Sequence, residues 1–368
     1  MLALLLVAFA AETSYEKYAL SDCSGKDVKP QPSCGGKQNM TVAVLEACCD
    51  STDGCSGFNT NGVLKDSACI DHIAKSTTDL YVKKTNANLK WMTTYDFSPN
   101  VTHGWQNLVS GDGADLNAMV EAYKQYGMYG MPMLPDGVFN KSYHCLQPDW
   151  EANTEIFVNT TLAPYIENGI VVGIFMGDEL FANRIPLSNI TSVSDKLRSL
   201  LGPRGGAKQT PFIYTNENGR MKEWPMVPSS IDYISVDRYS LNGTVEEVSD
   251  RSWYNRRIYP KLHPHQGVFL VPGIFASDPV NCQKNNVSCP LKDQADQIVI
   301  KLQDYLVWAQ EDYKVVGVNP WHFNNRSVNQ GYIKGYDDRL GAVSMPSVVD
   351  KLKEIGTFIM NNNNNSNV

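Results

Sequence analysis

Gly177-Asp178-Glu179-Leu180 sets two carboxyl groups side by side directly after Ile170–Met176, the most apolar of the expected strands. Burial disfavours the charged form of a carboxyl, and a neighbouring carboxylate disfavours it further, so Glu179 is expected to hold its proton above the ordinary range. A carboxyl of that kind can protonate a leaving oxygen while a second group meets the oxocarbenium-like carbon, which is the requirement for cleaving a glycosidic bond. Glu179 is therefore the expected proton donor and Asp178 its assistant. The bland reading of the same residues is a helix cap at Asp178 and a surface ion pair at Glu179. Asp237, Glu217 and Asp96 are the candidates for the second carboxylate, and for Asp237 the competing reading is a salt bridge with Arg238. Tyr95, Tyr239, Trp321 and His322 complete the expected subsite, with Trp321 as the platform for the C–H face of a sugar. Trp91, Trp105 and Trp224 are further candidate platforms, although Trp91 lies inside an expected strand and reads first as core.

These residues fall at the ends of short apolar runs. The spacing predicts strands at Leu89–Tyr95, Gln106–Ser110, Met128–Leu134, Ile170–Met176, Phe212–Tyr214, Ile231–Val236, Val268–Ile274 and Val315–Val318. Amphipathic stretches lie between them, such as Ala114–Tyr126, where Leu116, Met119, Val120 and Tyr123 recur at helical spacing and Gly127 supplies a stop. Asp293–Tyr313 and Ser347–Met360 read likewise. Alternating strands and helices over residues 85–360 predict an α/β fold, a (β/α)8 barrel whose site lies where the strands end. The connection between the first two strands is too short for a full helix. An open doubly wound sheet is the alternative, but no glycine-rich phosphate loop follows the first strand.

In this order the Gly-Asp-Glu run after strand four resembles the signature of family 20 hexosaminidases, and Glu179 stands where clan A glycoside hydrolases carry their acid/base. The clan A nucleophile is a Glu ending strand seven, and Val271-Pro272-Gly273-Ile274-Phe275-Ala276-Ser277 holds none. The resemblance thus implies either substrate-assisted hydrolysis, in which a 2-acetamido group attacks while Asp178 orients it and Tyr239 donates to its oxygen, or a second carboxylate among Asp237, Glu217 and Asp96. A reading of another class is a non-catalytic binding protein whose barrel lacks its nucleophile.

Residues 12–84 differ in composition. Cys23, Cys34, Cys48, Cys49, Cys55 and Cys69 cluster there, as in a small domain held by disulfides, and the expected boundary is Lys83–Asn88. A helix carrying Cys48 and Cys49, then Cys-x-Gly-Phe at Cys55–Phe58, an Asn-Gly turn and Cys69 resemble the PAN/apple module over residues 20–82. The resemblance implies a glycan or protein ligand; a structural cap is the alternative. Cys282 and Cys289 are expected to pair, and the odd cysteine total leaves at least one thiol free or bridging molecules.

The chain of 368 residues is 42% hydrophobic and 19% charged, enough for a sizeable core. Its 32 Lys+Arg against 39 Asp+Glu give a net charge of −7 without a basic block, which excludes the footprint of a nucleic-acid binder. Residues 1–11 read as a secretory signal, because the apolar run Leu2–Ala10 leads into small residues. Sequons at Asn39, Asn100, Asn140, Asn159, Asn189, Asn242, Asn286 and Asn325 agree with a secreted, N-glycosylated protein, extracellular or lumenal. No later run reaches the length of an integral membrane segment, and residues 361–368 read as a disordered Asn-rich tail. No cofactor or metal is expected: His263-Pro264-His265 precedes strand seven, and no zinc spacing occurs. Ser240 and Ser277 sit in no nucleophile elbow.

Overall fold

The computed structural model describes residues 15–18, 21–22, 40–50, 55, 57–65, 74–75, 80–83, 88–95, 98–110, 115–203, 210–237, 250–277, 290–324 and 339–365. The chain divides into two compact units, Met1–Thr85 and Asn86–Val368. The expected signal segment, Asp96, Tyr239, and Cys282 with Cys289 lie outside the described residues.

In the first unit Tyr15–Tyr18, Leu80–Lys83, Gly57–Asn59 and Leu64–Lys65 pair antiparallel in that order. Asn59 shapes the turn, its Oδ1 accepting the N–H groups of Asn61 and Val63 at 3.1 and 3.0 Å, while Gly62 takes a φ of 80° that favours glycine. The helix Val42–Asp50 turns Leu45, Cys48 and Cys49 onto Phe58 and Leu64, and a disulfide joins Cys49 to Cys55. So small an apolar cluster gains from the covalent link.

The second unit is mixed α/β with a curled parallel sheet. Its parallel strands are β1 (Trp91–Met92), β2 (Leu108–Ser110), β3 (Tyr129–Met131), β4 (Gly173–Asp178), β5 (Phe212–Asn218), β6 (Tyr233–Asp237), β7 (Gly267–Leu270) and β8 (Val315–Val318). Six form one sheet in the order β4-β5-β6-β7-β8-β1, and β2 pairs with β3. Parallel bridges Gly130↔Val171 and Met133↔Phe175 connect the β3 segment to that of β4. Between β1 and β2 the link centres on Asn107, with Ser110 Oγ donating to the Thr94 carbonyl at 3.2 Å and Gln106 Nε2 to Thr93 Oγ1 at 3.4 Å just beyond. The Asn107 N–H donates to the Met92 carbonyl at 3.1 Å, its Oδ1 accepts the Met92 N–H at 2.8 Å, and its Nδ2 donates to the Lys90 carbonyl at 2.8 Å.

Strand alternation sorts the apolar side chains into two cores. Val172, Phe175, Phe212, Tyr214, Phe269, Val271 and Val316 pack together on the inner face, with Trp91 and Tyr129. Ile174, Met176, Ile213, Ile234, Val236 and Val268 pack outward against the helices. The inner rings need room, and glycines give it: a Cβ on Gly173 would lie 2.3 Å from the Phe212 ring, and one on Gly317 2.4 Å from that of Phe269.

Helices α1 (Leu116–Tyr126), α2 (Leu187–Leu201), α3 (Leu291–Glu311) and α4 (Pro346–Asn365) cover the outer face. Helix α1 begins where Asp115 accepts the Ala118 N–H and ends at Gly127, φ 70°. Two expectations change. The β5–β6 connection carries only a 3-10 turn, Gly219–Glu223, rather than an α-helix. The tail expected to be disordered from residue 361 is helical through Asn365, because the apolar face of α4, with Ile355 and Ile359 buried, carries the helix past Met360.

Candidate active site

The parallel strands all end at one mouth, and the carboxyl groups gather there. Between Phe175 and Asp178 the β4 strand contains one more residue than its partner between Tyr214 and Asn216, a bulge that re-aims the strand end. Gly177, at φ 155°, makes the bulge possible, since a Cβ would lie 2.9 Å from Leu180. Glu179 follows with φ 50°, the left-handed region that a non-glycine residue occupies only when surrounding bonds hold it. The Glu179 N–H donates to the Asn216 carbonyl at 2.8 Å, and the Glu179 carbonyl accepts from the Asn183 backbone and side chain, each at 2.8 Å.

Asn216, fully buried on β5, holds both acids. Its carbonyl takes the Glu179 N–H, and its Nδ2 donates to Asp178 Oδ1 at 2.6 Å. The Ser235 hydroxyl on β6 donates to Asn216 Oδ1, and Tyr214 Oη lies 2.6 Å from Ser235 Oγ. Asn319 Nδ2, after β8, donates to Tyr214 Oη at 3.4 Å. Burial pushes the Tyr214 phenol up, and the buried Tyr95 hydroxyl acts on it in the opposite sense.

Burial pushes the Glu179 carboxyl above the usual carboxylate range and the Asp178 charge adds to the rise; a hydrogen bond with Asn218 and the Lys141 charge act the other way. Of the sequence candidates, the structure thus brings Asp178, Glu179 and Tyr95 to one polar cluster. Asp237 ends β6, partly buried, and its charge acts on Tyr214. Trp321 is partly exposed, its ring held edge-on to Phe275 at 4.9 Å. The Trp321–His322 peptide is cis.

Two expected subsite residues are placed elsewhere. Glu217 has no exposed surface, because it alternates with Asn216 and Asn218 on β5 and faces away from the inner side. Both its carboxylate oxygens accept the Phe181 N–H, at 3.3 and 3.1 Å, so it secures the segment after Glu179. Burial pushes its carboxyl well up, with the Asp178 and Glu179 charges adding, while the Phe181 and Ala182 backbones favour the anion. His322 is also wholly buried; its Nδ1 lies 2.5 Å from the Asn324 carbonyl and its ring stacks on Phe275 at 5.5 Å. Trp105 and Trp224 are core residues too, at 3% and 1% exposure.

Asn216 and Asn218 stand in the sequence as the strand-end neighbours of Glu217, without a role of their own, and Ser235 and Lys141 are not among the expected site residues. The available signal was period-two alternation along β5 and β6, which puts Tyr214, Asn216 and Asn218 on one side and Tyr233, Ser235 and Asp237 on another strand's matching side. A cleft of about 340 Å³ at the end of β5 is lined by Asn218, Gly219, Arg220, Lys222, Glu223 and Trp253. A larger cleft of about 460 Å³, lined by Asp195, Arg198 and Ser230 among others, lies at the opposite strand ends, away from the carboxyl cluster. Among the described residues no group of three His, Cys, Asp or Glu side chains is arranged to hold a metal ion.

No protein-family model matches the chain, and no curated protein does. Solved structures do. The chain is similar to a GH2 β-galacturonidase from Eisenbergiella tayi bound to galacturonate, at 9% identity and a TM-score of 0.50 over 77% of this chain and 57% of that one. It is also similar to a β-D-glucuronidase from Dictyoglomus thermophilum (12% identity, TM-score 0.48, 82% and 63% covered). A third is a GH113 β-mannanase from Alicyclobacillus acidocaldarius (11% identity, TM-score 0.46, 75% and 100% covered). These structural neighbours are glycoside hydrolases, and the chain spans less than two thirds of the first two. At such identities the likeness concerns the fold.

Proposed function

We propose that the protein is a glycosidase in which Glu179 donates the proton to the glycosidic oxygen. The observation that carries this reading is the Asp178–Glu179 pair at the bulged end of β4, with Glu179 raised by burial and by its neighbour's charge. Glu179 gives its proton as the bond to the leaving oxygen breaks, and an ionised Asp178 stands beside the positive charge that develops. Trp321, fixed against Phe275, is the platform for a sugar ring. In the substrate-assisted form a 2-acetamido oxygen attacks the anomeric carbon and Asp178 orients that amide; in the other, Asp237 serves as second carboxylate. The strands close as an eight-stranded barrel in this proposal, supported by the bridges at Gly130 and Met133 and by the bonds of Asn107.

The protein is further proposed to be secreted and N-glycosylated, with a PAN/apple-like first unit that binds a glycan or protein. The second reading, a carbohydrate-binding protein without catalysis, is favoured by one observation: Val271–Ser277, after β7, holds no Glu to act as a clan A nucleophile, and its Phe275 packs against Trp321 and His322. Assay of wild type and Glu179→Gln on a panel of glycans and aryl glycosides, 2-acetamido sugars included, separates them. Activity that collapses in the variant supports the glycosidase. Saturable binding of the same sugars with no turnover by folded wild type selects the binding protein.

A further inference from the structure

The hydrogen bonds around Asn216 have only one consistent polarity. Ser235 has a single hydroxyl proton, which it gives to Asn216 Oδ1. The 2.6 Å contact between Tyr214 and Ser235 must then be made by the Tyr214 proton, and the Tyr214 oxygen in turn accepts from Asn319 Nδ2. Asn216 passes the direction on, accepting at Oδ1 and donating through Nδ2 to Asp178 Oδ1. Asn216, Ser235, Tyr214 and Asn319 all have no exposed surface, so water does not compete for these bonds. Donors aligned in one sense polarise each other, and this file of donors from β8, β5 and β6 terminates on a single carboxylate oxygen.

We propose that Asn319, Tyr214, Ser235 and Asn216 form a positioning network that keeps Asp178 as the anion of the adjacent pair and so assigns the proton to Glu179. A 2.6 Å N–H bond is stronger to a carboxylate than to a neutral carboxyl and so favours the Asp178 anion, and a neighbouring anion makes the second ionisation costly. The two acids also differ in their surroundings. Glu179 is met by Asn218 from the end of β5 and by the Lys141 charge, while Glu217, on the outer side of β5, is itself pushed up by the charges of both acids, and Asp237 acts on Tyr214 from β6. The role of the pair in hydrolysis rests on the glycosidase reading; the order in which its members ionise does not.

The test is a carboxyl titration by NMR of full-length protein carrying ¹³C-labelled Asp and Glu side chains, in wild type, Tyr214→Phe, Ser235→Ala and Asn216→Asp. Asp178 is expected to titrate below Glu179 in wild type, and to move up by about half a pH unit or more as the file is cut nearer to it. Asn216→Asp, which replaces the donor with a second carboxyl, gives the largest move. The acid limb of the kcat/KM profile moves up with it. A merely structural network would lower Tm in folded Tyr214→Phe and Ser235→Ala while leaving both titrations in place, and that result overturns the proposal, as does Glu179 titrating first in wild type. Titrations that move as expected in a protein that cleaves no glycoside uphold the network and reject the glycosidase. Tyr214→Phe keeps the ring and its packing, so the test stands if the Asn216 variant does not fold.

Discussion

At the scale of single residues, two neighbouring glutamates have opposite fates. Glu179 is half-exposed at the mouth, and Glu217 lies beneath the chain that follows it. Glu179→Gln is expected to lower kcat on a natural glycoside by about 10²- to 10⁴-fold, the usual worth of a positioned acid, with KM little changed. Because its raised carboxyl must be protonated, activity should fall as pH rises through its folded value, above the ordinary 4.5. For Glu217 the raised carboxyl is a statement about stability. The folded state binds its proton more tightly than the unfolded one, so this stabilisation is complete below about pH 4.5 and is lost as pH rises through the folded value. Glu217→Gln keeps an oxygen for the Phe181 N–H and removes the buried charge; a gain of about 2–4 °C in Tm at pH 7, with none at pH 4, is expected from scanning calorimetry. Both glutamates were visible in the sequence as strand-end acids. What separated them was the side of β5 on which Glu217 falls, and with it the extra residue in β4 that turns Glu179 to the mouth; neither bulge nor register has a signature in residue types alone.

Among the elements, β4 was legible because an uninterrupted apolar run suits a strand buried on both faces, and α1 because Asp115 and Gly127 mark its two ends. The β5–β6 connection was not: Phe212–Tyr214 was visible as apolar, but the strand runs on through polar Thr215–Asn218, whose burial is satisfied by side-chain bonds that local pattern does not reveal. Helix α4 shows a tighter constraint. A Cβ on Gly356 would stand 1.8 Å from the Trp105 carbonyl oxygen, so the helix lies directly on that backbone. Gly356→Ala should raise intrinsic helix propensity by about 1 kcal/mol and still destabilise the protein, by about 2 kcal/mol or more, since neither helix nor carbonyl can yield without loss of packing. Urea unfolding gives the sign directly; a stabilised variant would mean that α4 is docked differently.

For the whole molecule, the compositional break near residue 85 and the division after Thr85 come from the same cause: the first unit has a small core and a disulfide, the second a large apolar one. The second unit, expressed from Asn86, is expected to keep its activity on small aryl glycosides and to lose affinity for polymeric or surface-bound substrate, as a pull-down on insoluble glycan would record. Asn100 and Asn159 are exposed, so in a secretory host each should carry a glycan, and Asn100→Gln and Asn159→Gln should each remove one step from the endoglycosidase-sensitive mobility shift. Cys145, exposed with a free thiol, should react with maleimide in the folded protein.

The join at Asn107 differs from the other seams of the sheet. Where β5 and β6 share a ladder from Tyr214↔Tyr233 to Asn218↔Asp237, β1 meets β2 through the backbone and amide of Asn107 and, just beyond, through the side chains of Gln106 and Ser110. Such a join has little redundancy: once the Asn107 amide lets go, the strand ends are kept in step by the side chains of Gln106 and Ser110, on Thr93 and the Thr94 carbonyl, rather than by a run of backbone pairs. It is a clasp rather than a seam, and deuterium should reach the Met92 and Asn107 amides well before those of β5, marking where the sheet first comes undone.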